Sequence, residues 1–100
     1  MTVVIIGSFE MPTVSDLATF VRRRGFTVLA LESMSLVALI AATEPLAALV
    51  VYQAHAPADW EETRAHLAKI SPKTNILFVP TDDLRSTEQL ACDSLSHLEE

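Results

Sequence analysis

The chain has 100 residues, half of them hydrophobic and a fifth charged, with seven Lys plus Arg against thirteen Asp plus Glu and a net charge of −6. That length fits one domain, residues 1–100, and two Gly with five Pro exclude a disordered, collagen-like or low-complexity chain. The acidic balance argues against nucleic-acid partners, which need clustered positive charge, and the single cysteine, Cys92, supplies neither an intrachain disulfide nor a zinc framework.

Four short apolar runs read as strands: Val3-Val4-Ile5-Ile6-Gly7, Phe26 to Leu31, Ala48-Leu49-Val50-Val51-Tyr52 and Asn75-Ile76-Leu77-Phe78-Val79. The first, third and fourth are continuous rather than alternating, as in a parallel strand covered on both faces. Helical signals fill the gaps. After Pro12, Thr13 or Ser15 caps a helix running through Arg24, with Leu17, Phe20 and Val21 on one side and Gly25 as the stop. Ser33 or Ser35 starts a second helix, Leu36 to Thr43, which Pro45 ends. Asp59-Trp60-Glu61-Glu62 has capping-box spacing and opens a third, with Trp60, Thr63, Leu67 and Ile70 on one stripe before Ser71-Pro72. Ser86-Thr87-Glu88-Gln89 repeats that signature for a fourth, with Leu90, Ala91, Leu95 and Leu98 inward.

The alternation β-α-β-α-β-α-β-α predicts a parallel three-layer sandwich with right-handed crossovers. No secretion signal is expected, since no positive charge precedes the first apolar run and Glu10 is the first charged side chain. The longest stretch without Asp, Glu, Lys or Arg, Pro45 to Ala58, holds two prolines, Gln53 and His55, and falls short of the roughly 20 apolar residues of a membrane span. A soluble, cytoplasmic protein with no membrane partner is the expectation. Nucleotide cofactors are not expected either. The first strand leads into Gly7-Ser8-Phe9-Glu10-Met11-Pro12 and the next glycine is Gly25, so no phosphate-cradling glycine motif is present. In that loop Glu10 would repel a flavin phosphate.

Phe26 to Ser33, following a helix that ends in glycine, resembles the second strand of response-regulator receiver domains. Leu36 to Pro45 looks like the helix after it, and Trp60 to Pro72 with Lys73 to Val79 is similar to the receiver's third helix and fourth strand. The likeness covers nearly the whole chain. It implies a flavodoxin-like sandwich with strands ordered 2-1-3-4 and the fifth strand missing.

The family's chemical residues are where this chain departs. The acidic pair that holds Mg²⁺ after the first strand corresponds to Gly7 and Ser8. The phosphoaccepting aspartate corresponds to Tyr52 or Gln53, neither a carboxylate. Thr81 is the candidate survivor of the Thr or Ser after the fourth strand, and no counterpart of the family's lysine is legible. The resemblance therefore implies a degenerate pseudo-receiver. It would be a non-enzymatic domain, with no metal and no cofactor, that contacts a protein partner or a second copy of itself without phosphorylation.

Other chemistry-bearing residues have plainer readings beside functional ones. Glu10, Asp82 and Asp83 form either a cation site with His55 as a titrating group, or a solvated turn before the last helix, where acids favour the dipole. Arg22-Arg23-Arg24 is either an anion dock or a solvated helix end. His66 and His97 lack the spacing of a metal pair, Cys92 has no basic neighbour in sequence, and Trp60 reads as a packing residue.

Contact surfaces are suggested twice. Leu36-Val37-Ala38-Leu39-Ile40-Ala41-Ala42 is apolar all round, where a sheet-covering helix needs one apolar stripe, so either neighbouring helices or a partner cover the rest. The fourth strand, as an open edge, calls for cover by the last helix, by a second copy or by further chain. Leu36, Val37, Leu39 and Ile40, with Leu95 and Leu98 on the last helix, are the candidate interaction surface of a homodimer. As an alternative, Val4 to Phe9 and Gly25 to Leu29 look like the opening of nucleoside deoxyribosyltransferase-like enzymes, for which Glu10 or Glu61 would be the carboxylate nucleophile.

Overall fold

The computed structural model describes residues 1–8, 10–43 and 46–95. Four strands, β1 (Thr2–Ile6), β2 (Thr27–Leu31), β3 (Leu46–Tyr52) and β4 (Asn75–Val79), form one parallel sheet in the order β2-β1-β3-β4. Four helices accompany them: α1 (Pro12–Arg23), α2 (Val37–Thr43), α3 (Trp60–Ile70) and α4 (Thr87–Leu95). This is the flavodoxin-like order expected, and among the described residues β4 is a sheet edge.

The continuous apolar runs are explained by two cores, one on each side of the sheet. Val3 and Ile5 of β1 point to the α1/α4 side with Ala48, Val50 and Tyr52 of β3, while Val4, Ile6, Leu49 and Val51 point to the α2/α3 side. β3 begins two residues earlier than the apolar pattern suggests. Its register against β1 jumps between Thr2↔Leu46 and Val3↔Ala48, which leaves Ala47 as an extra residue, and this irregularity hides the start of the strand.

Helix ends follow local chemistry in some places only. Gly25, at φ 91°, takes the left-handed position that terminates α1, as its place after Arg24 predicts. The start of α1 differs: Pro12 is already helical, Met11 stands at the N-cap, and neither Thr13 nor Ser15 caps it. Ser33 accepts from the Ser35 N–H and opens a single 3-10 turn, Met34–Leu36, so α2 itself is only Val37–Thr43. Asp59 sits at the N-cap of α3, yet its carboxylate takes the Thr63 hydroxyl at 3.3 Å and no backbone N–H. Ser86 does cap α4, accepting from the Gln89 N–H at 3.1 Å. Pro45 and Phe9 lie outside the described residues.

The last helix lies on the same side of the sheet as the first. α1 packs against α4, and α2 against α3. A right-handed crossover from β4 to another parallel strand on its outer side would run along the α2/α3 side, as α3 does between β3 and β4. α4 instead returns beneath β4, where the Asn75 side-chain amide donates to the carbonyls of Asp93 and Ser94 (3.2 and 3.0 Å) and satisfies the open end of the helix.

Candidate functional site

The C-terminal ends of the strands, where open α/β sheets bind ligands, hold Gly7, Ser8, Tyr52, Gln53 and Thr81. Gly7 is buried, and its N–H donates to the Leu31 carbonyl at 2.8 Å. A Cβ added there would lie 2.8 Å from Val14 Cγ2 and 3.2 Å from Tyr52 Cδ2. Any side chain at this position displaces the α1/α4 core. Ser8 accepts from the Glu10 N–H at 3.2 Å and shapes the turn into α1.

Tyr52 ends β3 with its ring in the core. Burial pushes its phenol above the ordinary range, and its hydroxyl points at the Thr13 carbonyl, 3.5 Å away. Gln53 follows in an exposed 3-10 turn, Gln53–His55. Its Oε1 accepts from the Thr81 N–H at 2.9 Å and lies 3.4 Å from the Thr81 hydroxyl. Of the two candidates for the acceptor position, Gln53 is therefore the one joined to Thr81.

Tyr52, Gln53 and Thr81 share a cavity of about 160 Å³ that neither Gly7 nor Ser8 lines. Met11, Val79 and Leu90 give it an apolar floor, and Thr13, Asp83 and Arg85 complete its polar rim. The rim is already charge-paired. Arg85 donates through Nε to both Asp83 carboxylate oxygens (3.0 Å each), through Nη2 to Asp83 (2.5 Å) and through Nη1 to Asp93 (3.1 Å). These bonds hold the Asp83 carboxyl below the usual carboxylate range and raise the Arg85 guanidinium further. Asp93 also accepts from the Gln89 amide at 2.7 Å. Among the described residues, no group of three or more His, Cys, Asp or Glu side chains is placed to hold a metal ion.

A wider hollow of about 410 Å³ lies between Glu32 to Ser35, His55, Pro57, Asp59 and Thr63. His55 Nδ1 is buried there without a hydrogen-bond partner. Glu10 and Glu61 line neither hollow; both are exposed, and Glu61 pairs with Arg64 at 2.6 Å within α3.

The candidate interaction surface is only partly a surface. Val37 and Leu95 are 1% exposed and belong to the cores, a correction that follows from helix geometry. In α2, Val37 with Ile40 and Ala41 three and four residues on faces the sheet, which turns Leu36 and Leu39 outward at 52% and 63% exposure. In α4, Leu95 lies four residues beyond Ala91 on the stripe that meets α1 and β4. Leu98, like His97, lies outside the described residues. Ile40 is part-buried against the α2/α3 core.

Two features escape a reading along the sequence. Arg24 Nη2 stands 3.4 Å from the Cys92 sulfur, 68 residues away, because α1 and α4 lie side by side. The other is Arg85. Its only sequence signal is the Asp83-Leu84-Arg85 alternation in a loop, and both of its partners are needed to see its role.

Compared with protein-family models, with curated proteins and with solved structures, the chain matches none. No helix of the described residues is long and apolar enough to cross a membrane.

Proposed function

We propose that this chain is a phosphorylation-independent, receiver-like interaction domain of signalling or regulation, acting as a homodimer. The observation that carries the reading is the closed space at Gly7. An acidic metal ligand there would have to occupy volume filled by Val14 and Tyr52. Burying an unpaired carboxylate in that core adds its own large cost. Gln53, which meets Thr81 at the strand ends, is a neutral amide and forms no acyl phosphate. A domain with this frame, closed at the end of β1 by Val14 and Tyr52 and neutral at Gln53 after β3, is read as one that works by contact.

The test is incubation of the full chain with acetyl phosphate, or with beryllofluoride and Mg²⁺, followed by intact mass and by amide NMR shifts. The expected result is no added mass and no saturable shift at Gly7, Gln53 or Thr81. A stoichiometric, saturable response at those residues overturns the reading.

A further inference from the structure

We infer that the cavity at the ends of β3 and β4 binds a small neutral molecule whose compact apolar body carries a hydrogen-bond-accepting oxygen, the class of a cyclic ketone. The inference goes beyond the reading above and does not depend on self-association.

Size sets the first limit. The cavity of about 160 Å³ is close to an apolar protein cavity of about 150 Å³ that takes up benzene. A body of roughly six or seven heavy atoms fits, and a nucleotide does not. Met11 ahead of α1, Val79 of β4 and Leu90 of α4 give that body an apolar floor. Apolar hollows with a few converging polar groups, at this end of an open α/β sheet, are where small molecules bind.

Charge sets the second. Both Asp83 oxygens at the rim already accept from Arg85, and the Arg85 Nη1 goes to Asp93. A charged ligand would lose its water against the apolar floor and find no unpaired counter-charge, so a neutral one is favoured.

The polar partner is Tyr52. It lines the cavity although only 5% of its surface is exposed. The Thr13 side chain bonds to its hydroxyl in a way that favours the ionised form, so there the phenol oxygen is the acceptor. The proton that the hydroxyl can give has the Thr13 carbonyl at 3.5 Å, far longer than the roughly 2.7–2.8 Å of a well-made O–H···O bond. Thr13 and Tyr52 both line the cavity and meet at this hydroxyl, which sets it at the cavity wall. A buried donor so weakly matched costs stability, and an acceptor oxygen on a ligand recovers it. A ketone oxygen supplies that acceptor without adding charge.

The experiment is titration of the full chain with cyclohexanone, followed by methyl NMR of labelled Met, Val and Leu. Cyclohexanecarboxylate and cyclohexylammonium serve as charged probes with the same ring, and Y52F removes the donor. Cyclohexanone should give saturable shifts and intermolecular NOEs at Met11, Val79 and Leu90, with a dissociation constant on the order of a millimolar. Each charged probe should bind at least about tenfold more weakly, and Y52F should weaken cyclohexanone binding about three- to tenfold.

No saturable response at those methyls, or a response centred on other residues, overturns the inference. A charged probe that binds as tightly as the ketone overturns the neutral class, and a Y52F chain that binds like the wild type overturns the Tyr52 contact. Should circular dichroism show that Y52F does not fold, the three probes on the wild-type chain still decide. The absence of phosphorylation is read separately in the acetyl phosphate assay.

Discussion

The two sides of the sheet are packed very differently. On one, α1 buries Val14, Leu17, Ala18 and Val21 and α4 buries Leu90, Ala91, Ser94 and Leu95; on the other, α2 buries only Val37 and α3 only Leu67. The more apolar helix is the less buried one. α1 ends in two arginines, with a third at its C-cap, and still lays a full stripe on the sheet over its twelve residues, whereas α2 has seven residues and turns Leu39, one of its three large side chains, to the outside. Apolar composition measures what a helix could bury; length and facing neighbours decide what it does bury.

The contrast breaks most visibly at Leu17. Leu17→Ala should destabilise the chain by about 2–5 kcal/mol in chemical denaturation, since the side chain is fully buried between α1 and the sheet. A Leu17→Ala chain as stable as the wild type would mean that the α1/α4 side is not the denser core. Gly7→Ala tests the same side by overfilling it. The added methyl meets Val14 and the Tyr52 ring, and a loss of about 1–3 kcal/mol is expected in thermal unfolding.

On the looser side, the stacked rings of Trp60 and Phe78, 5.8 Å apart, join α3 to the part-buried strand β4. A double-mutant cycle replacing both by leucine should return a coupling of about 0.5–1.5 kcal/mol. No coupling would show that the α3 contact with β4 is incidental.

A smaller, pH-dependent effect belongs to Asp83. Its carboxyl titrates below its unfolded value, near 3.9 in model peptides, because Arg85 donates to the charged form. The unfolded chain therefore binds more protons in the interval between the two values, and stability rises with pH there. The contribution is complete above about pH 4 and fades as pH falls through the lower folded value. Melting curves of the wild type and D83N should accordingly converge below that pH; a constant difference down to the acid limit would contradict the pairing. The smallest change is expected at Leu39→Glu, within about 0.5 kcal/mol, because that side chain already faces out of α2.

The alternation of elements was legible because each buried strand writes its character locally, in apolar runs such as Val3 to Ile6 and Ala48 to Val51, whereas the order of the strands was implied by the family resemblance and not by the runs themselves. What could not be read is whatever depends on which side of the sheet an element takes. The stripe Leu90, Ala91, Leu95 announces a buried face in α4 but not that it meets α1, and so the Arg24 contact with Cys92 and the Asn75 cap of the helix end stay hidden. In the same way, Val37 and Leu39 are equally apolar letters in one short run, and only the helix phase against the sheet separates the core residue from the surface one. At the strand ends, the neutral residues were visible as letters, whereas the reason Gly7 tolerates no side chain required the positions of Val14 and Tyr52. The cavity beside Gln53 gathers residues from four parts of the chain and had no linear signature.

The tightness around Gly7 also bears on how this chain could change. An acid at that position meets Val14 at once and crowds the Tyr52 ring, and trimming Val14 to make room hollows the better-filled half of the molecule. Step by step, the road to a charged cleft passes through weaker proteins, so the present neutral form is guarded by its own packing.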